Sequence, residues 1–267
     1  MTSGADVPDK PAARDHPALW TVVGTELARM RRGFLPWYTI LAPIAIAVPL
    51  YLGSLFSPEG ASGDTWGVFS RVTLEFWGAL VPMSAGLTAA LAVRADNEAW
   101  RLLLSYAVPR WRYFAGKFGA LAVLNLISST ILLAVLAGGA VLNGQVGEVL
   151  GTITAAAYLP WLAGLATSAL ALLVSVLWGL GPGITVGVVG LLAGTLTADK
   201  SFWFAIPVAW PMRVLLPVAG ISPNGIALPP HSPLADPDVI PVAVALSVGL
   251  LAVLLAAGCR HLSRKEV

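Results

Sequence analysis

The sequence predicts an all-α polytopic membrane protein with six transmembrane helices, and two observations carry that prediction. Of the 267 residues, 57% are hydrophobic and only 11% are charged, whereas an average soluble domain is about 25% charged. The chain also runs apolar for about 20 residues at a time, the length of a membrane-spanning helix, without the alternating polarity of a membrane β-barrel. This composition excludes a soluble globular enzyme and a disordered chain.

The first 33 residues precede the apolar part of the chain. Residues 1–16 mix prolines with charges of both signs, and we expect a disordered cytoplasmic tail. Residues 17–33 predict an amphipathic helix that lies on the inner membrane face, its basic end near anionic lipid headgroups. Its apolar side chains recur at helical spacing, at Trp20, Val23, Leu27 and Met30. Its polar ones are Glu26, Arg29 and Arg32. A plain cytoplasmic extension of the first span is the alternative.

Residues 34–258 form the predicted transmembrane domain, and residues 259–267 a second cytoplasmic tail. The six apolar runs are Phe34–Phe56, Phe76–Val93 (with Val72 as an alternative start), Phe118–Leu142, Val149–Leu177, Gly183–Ala198 and Val239–Gly258. Thirteen of the 16 Lys and Arg residues fall on one side of this arrangement, leaving Arg71, Lys200 and Arg213 on the other. Because basic residues accumulate on the inner side, we expect both termini in the cytoplasm.

Two further features concern packing. The outer stretch 199–238 holds eight prolines, and its first half is aromatic and apolar. This content predicts short re-entrant helices that dip into the outer interface, and it disfavours a disordered loop. In the fifth run, glycines recur along one helix face, at Gly183, Gly187, Gly190 and Gly194. Such a stripe permits close helix packing, either with a second copy or within the chain.

Motifs for chemistry are missing from the sequence. There is no G-x-x-x-x-G-K-[ST] segment to cradle ATP phosphates, and the three histidines, His16, His231 and His261, lie outside the apolar runs. We therefore expect no catalytic residue, no metal site and no cofactor bound by this chain. The net charge of +2 does not favour a nucleic-acid partner. Ionisable residues are also nearly absent from the runs, which disfavours ion coupling.

The inner loop 94–117 is the most informative segment. Asp96 or Asn97 can cap a helix that includes Trp100 and Leu104, and Val108–Pro109 ends it. The basic residues Arg110 and Lys117 follow. An amphipathic helix of this kind is suited to docking a soluble partner, whereas the alternative is a solvated basic loop that only sets the topology.

The residues of this loop resemble the type-2 ABC exporter permeases, most closely the lantibiotic-immunity and bacteriocin branch. The similarity lies in an acidic residue followed by a W-x-L-L-L segment, a proline and a lysine, with a related pattern at 74–78 and in the outer Trp203–Pro211 stretch. The matching loop positions are Asp96, Asn97, Glu98, Trp100, Arg101, Leu104, Pro109, Arg110 and Lys117. Tyr106 and Asn97 depart from the commonest pattern, which puts partner specificity in question.

The resemblance implies a permease without enzymatic activity. It implies a coupling helix over residues 96–106 that docks into a separate ATPase subunit, which binds ATP and Mg²⁺. Glu98 and Arg101 would then make charged contacts, Trp100 and Leu104 would fill the ATPase groove, and Arg110 and Lys117 would orient the loop. It also implies a second permease subunit, identical or sister, and an amphipathic substrate such as an antimicrobial peptide or drug. An ion-coupled transporter or channel, and a membrane assembly subunit without transport, are the alternatives.

Overall fold

The protein is a bundle of long helices. The computed structural model describes residues 17–97 and 109–264. Within these ranges the helices are α1 (Leu19–Met30), α2 (Phe34–Leu55), α3 (Thr65–Asn97), α4 (Arg110–Leu142), α5 (Val146–Ala163), α6 (Leu165–Trp178), α7 (Leu180–Thr197), α8 (Trp210–Ala219) and α9 (Val239–Arg264). Short 3₁₀ turns occur at Trp203–Ala205, Pro207–Ala209 and Pro233–Ala235.

Six helical segments are long and apolar enough to cross a membrane, which confirms the predicted number of spans. They are α2, α3, α4, the combined α5 and α6, α7, and α9. Several extend beyond the predicted apolar runs: α3 begins at Thr65 instead of Phe76, and α4 at Arg110 instead of Phe118. The apolar run marks only the part that suits hydrocarbon, whereas the backbone hydrogen bonds of a helix continue into polar turns. The chain is a multi-pass membrane protein.

The fourth span is broken in its middle. α5 ends at Ala163 and α6 starts at Leu165, and the N–H of Gly164 bonds the carbonyl of Pro160 at 2.8 Å. Proline lacks the N–H of a regular helical bond and its ring crowds the preceding turn, which favours an interruption of the helix near this position.

The glycine stripe of α7 packs within the chain. All four of its glycines are buried, and the backbones of Gly86 in α3 and Gly187 approach so closely that a Cβ on Gly86 would lie 2.5 Å from Gly187 Cα. A Cβ on Gly190 would lie 2.8 Å from Cβ of Pro82. The small residues therefore allow α3 and α7 to approach at backbone distance.

The outer stretch returns into the bundle through α8, seven of whose ten residues are buried. Met212, Leu215 and Leu216 pack with residues of α3, α4 and α5, including Phe69. Trp210 and Val214 pack with Ala163, Ala166 and Ala243. The predicted re-entrant segment is thus a short helix wedged between spans.

The N-terminal helix α1 lies against the first turns of α4. Val22 and Val23 fill the space left by two glycines of α4, since a Cβ on Gly116 or Gly119 would approach them within 2.5 and 2.8 Å. The face of α1 that packs into the bundle differs from the predicted apolar face: Trp20 is 81% exposed, whereas Glu26, expected on the polar face, is only 4% exposed. Glu26 is buried because it has cationic partners, which are described next.

Candidate functional site

Four charged side chains from three helices meet at the end of the bundle where α1 lies. We call Glu26, Arg29, Asp96 and Lys117 the charge cluster. Glu26 and Arg29 stand one turn apart on α1, Asp96 is in the last turn of α3, and Lys117 is two turns into α4. Two acids thus face two bases.

The charge cluster is a closed ring of ion pairs. Nζ of Lys117 lies 2.8 Å from Oε2 of Glu26 and 2.6 Å from Oδ2 of Asp96. Nη2 of Arg29 lies 2.7 Å from the same Glu26 oxygen and 2.5 Å from Oδ1 of Asp96. Each acid therefore contacts both bases, so the position of α1 depends on α3 and α4 together.

Three further contacts complete the site. The hydroxyl of Tyr113, one turn before Lys117, donates to Oδ2 of Asp96, and the Lys117 ammonium lies 5.1 Å from the centre of the Tyr113 ring. Lys117 also donates to the carbonyl of Ala92 at 3.5 Å. The ammonium is thus held by carboxylates, a carbonyl and an aromatic face.

Because its side chains are buried, the ion pairs of the charge cluster affect the stability of the protein strongly. Glu26 is 4% exposed, and Asp96 and Lys117 are each 1% exposed. Buried charges are tolerated when they are paired, and removal of one partner costs about 3–5 kcal/mol because it leaves an uncompensated charge. Two carboxylates are too few for a typical metal centre, and among the described residues no group of three His, Cys, Asp or Glu side chains could hold a metal ion.

The charge cluster includes residues on both sides of residues 98–108 along the chain, Asp96 before them and Lys117 after them. Asp96 lies two residues before that segment, and after it the chain continues through Pro109 into α4, which begins at Arg110. On the returning side, Nη1 of Arg112 donates to the carbonyl of Pro17 at 2.8 Å, which holds the start of α1. Both ends of the segment are therefore tied to α1.

The structure places some of the predicted coupling residues and not others. Asp96 and Lys117 belong to the charge cluster, Pro109 caps α4 and Arg110 is its first residue. Asp96 and Asn97 lie in the last turn of α3, because α3 continues past its apolar run; the helix that they were expected to cap lies outside the described residues. The other predicted contact residues, Glu98, Trp100, Arg101 and Leu104, lie outside the described residues.

Three members of the site were not predicted as functional residues. Glu26 and Arg29 were predicted only as part of the polar face of an interfacial helix, and Tyr113 was not predicted as a site residue. A local signal exists, because an acid and a base three residues apart on one helix can form an ion pair. The partner of Glu26 cannot be read from that spacing, since Lys117 lies 91 residues away.

The family of the chain follows from a comparison that includes this site. Residues 22–208, more than half of the chain, match the family described as ABC-2 family transporter protein. The chain belongs to this family. Among curated proteins, none matches it. The chain is therefore the membrane permease component of an ABC transporter and not its catalytic part, and the family implies an ABC ATPase as its partner.

Proposed function

We propose that this ABC-2 permease exports an amphipathic molecule across the bacterial cell membrane, powered by an ATPase that binds the segment 98–108. The observation that carries the proposal is the charge cluster, which ties both ends of that segment to α1. A segment that only set the topology would need no such attachment. Two permease chains, identical or sister, would form the exporter with two ATPase subunits, which bind ATP and Mg²⁺.

The contacts of the charge cluster suggest how a movement of the ATPase could reach the membrane spans. A displacement of residues 98–108 by the ATPase would act on Asp96 and on the start of α4 together. Because Lys117 and Arg29 bind the same two carboxylates, α1 would move with them. α1 leads through a three-residue connection into α2. The ATPase would thereby move the first three spans as one unit, and alternating access would follow from their displacement against the others.

The surface of the spans supports the proposed substrate class. They offer apolar and aromatic surface, and a fixed charge at membrane depth would instead mark an ion pathway. An amphipathic molecule that leaves the inner leaflet suits this surface. The resemblance to the lantibiotic-immunity branch favours self-protection against an antimicrobial peptide, with general drug efflux as the second candidate.

The proposal is tested by purifying the chain from its native membrane with its ATPase and measuring ATP hydrolysis with and without the permease. We expect co-purification and stimulated hydrolysis. Trp100→Ala and Glu98→Arg are expected to abolish the stimulation and transport while leaving membrane insertion intact.

Matched controls keep this experiment specific. Trp178→Ala removes an exposed tryptophan at the end of α6, and Glu148→Arg reverses a charge in the first turn of α5; both should retain stimulation. Normal stimulation by the Trp100 and Glu98 variants would overturn the docking site. Ion currents through the chain alone in a planar bilayer would overturn the ATP-driven mechanism.

A further inference from the structure

A cavity lies inside the bundle, between α2, α3, α4, α5 and α6. Its wall is mainly apolar and carries the rings of Tyr38, Trp77 and Trp161. Trp77, Trp161 and Asn125 all stand near the middle of long spans, so the cavity lies close to the bilayer midplane. Its position differs from that of the charge cluster, which lies at the end of the bundle.

Polar side chains from three spans converge on this cavity. They are Ser84, Asn125, Ser128, Ser129 and Ser168. Oγ of Ser84 donates to Oδ1 of Asn125 at 3.5 Å, a long hydrogen bond. No other hydrogen bond of the Asn125 side chain occurs within residues 17–97 and 109–264, so its amide N–H groups have no acceptor there.

The indole N–H groups of Trp161 and Trp77 differ in whether they have a hydrogen-bond acceptor. Nε1 of Trp161 donates to the carbonyl of Ala122 at 3.0 Å, whereas the buried Nε1 of Trp77 has no hydrogen-bond partner among the described residues. Unpaired donors at this depth are costly, because hydrocarbon supplies no acceptor. The cavity wall thus offers the Asn125 amide and several hydroxyls as hydrogen-bond donors, whereas the Trp77 N–H is closed off from the cavity.

The volume of the cavity and the absence of charged residues in its lining limit which groups could accept hydrogen bonds from these donors. The cavity has a volume of about 40 Å³, which is room for a few waters or one small polar group. Its lining, which lies wholly within the described ranges, contains no Asp, Glu, Lys, Arg or His. It therefore offers no counter-charge to an ion, whereas it matches a neutral acceptor such as a carbonyl oxygen.

We propose that this cavity binds the carbonyl group of an uncharged amphipathic molecule and is part of the substrate site. The assignment rests on the proposed export function, since it identifies the cavity as a place where the exported molecule is held. Because the cavity holds only one small polar group, the rest of the molecule would extend out of it along the apolar faces of the surrounding spans. The site would select by hydrogen-bond acceptance and would reject permanent cations and anions.

Photo-crosslinking of the full chain in lipid nanodiscs, without ATPase, tests this inference. The probe is an uncharged N-alkyl amide with a diazirine beside its carbonyl. Reference probes carry the same chain with a quaternary ammonium or with no polar group. We expect the amide to label peptides 77–84 and 125–129 about fivefold more than either reference, the gain that one hydrogen bond of ordinary strength provides.

The variants decide between binding and simple lipid exposure. Asn125→Leu should lower amide labelling about fivefold, whereas Asn143→Leu, which alters an asparagine outside the cavity that bonds the carbonyl of Gly139, should not. If Asn125→Leu does not yield a monodisperse protein, Ala42→Leu fills the cavity from its apolar side and should cause the same loss.

Two results would overturn the assignment: equal labelling by the three probes, or unchanged amide labelling in a folded cavity variant. Because the assay contains no ATPase, its failure is separate from a failure of the proposed function. Loss of ATPase stimulation with retained amide labelling would overturn the export proposal and leave the binding site standing.

Discussion

At the scale of single residues, Lys117 is the group on which the charge cluster depends most. It contacts both carboxylates and is 1% exposed. Lys117→Met keeps most of the volume but removes the cation that holds Glu26 and Asp96 together. We expect a loss of about 3–5 kcal/mol in the free energy of unfolding, because buried carboxylates lose their partner. Thermal unfolding of the purified protein measures this loss as a lower midpoint.

The control for Lys117→Met is Lys200→Met. Lys200 pairs with Asp199 at 2.9 Å, but its side chain is 52% exposed, and an exposed pair contributes about 0–1 kcal/mol. Asp96→Asn combined with Lys117→Met should recover part of the lost stability, because it removes one of the two stranded carboxylates. Equal, small effects of Lys117→Met and Lys200→Met would show that the charge cluster is not a structural link.

For Arg213 in α8 we expect the opposite effect on stability from that of Lys117: removal of its charge should not destabilise the protein. It is 5% exposed, Nε and Nη1 have no hydrogen-bond partner in the described part of the chain, and its guanidinium lies 5.6 Å from the centre of the Trp203 ring. Burial lowers the pKa of Arg213, and the charges of Asp236 and Asp199 oppose that shift. Replacing an incompletely paired buried charge by an apolar residue is often neutral or stabilising.

Arg213→Met should therefore leave the unfolding midpoint unchanged or raise it. A substantial fall, comparable with that of Lys117→Met, would show that the cation is required for the docking of α8. Arg71→Met, which removes a half-buried partner of Glu59 and Asp64 near the same end of the bundle, serves as the comparison variant. We expect it to cost about 1 kcal/mol or less.

At the scale of elements, the close approach of α3 and α7 depends on glycine. A Cβ on Gly187 would lie 2.9 Å from the carbonyl oxygen of Met83, whereas a Cβ on Gly138 of α4 would have no neighbour within 4 Å. Gly187→Ala should thus cost about 1–3 kcal/mol through overpacking. Gly138→Ala should be neutral or stabilising by up to about 1 kcal/mol through helix propensity. Thermal unfolding of the pair tests this difference, and equal midpoints would contradict it.

The sequence predicts which helices are present, but it does not predict where all of them end. The six spans and the helix in α1 follow from local composition, because a span needs only a continuous apolar run. The ends of α3 and α4 do not follow from it, since the helices continue into charged turns that packing stabilises. The buried face of α1 also differs from the one predicted, because packing with other helices determines it. Glu26 is buried against Lys117, which lies 91 positions away in the sequence, and the spacing of residues within α1 cannot reveal that partner.

At the scale of the whole molecule, the remaining prediction is orientation. From the excess of basic residues we expect residues 98–108 and both chain ends to lie in the cytoplasm. Two positions on opposite sides of the predicted membrane are exposed, Ser201 and Ser263. In a Cys259→Ser background, which removes the single cysteine, each is replaced in turn by cysteine and treated on intact cells with a membrane-impermeant maleimide.

Ser201→Cys should react on intact cells, and Ser263→Cys only after the membrane is permeabilised. This outcome would put the charge cluster on the side where ATP and a soluble ATPase are present, as coupling requires. The reverse labelling would place residues 98–108 outside the cell, where no ATPase could bind them. The charge cluster would then be a structural link between α1, α3 and α4 without a part in energy transfer, and the coupling proposal would fail whatever the strength of its ion pairs.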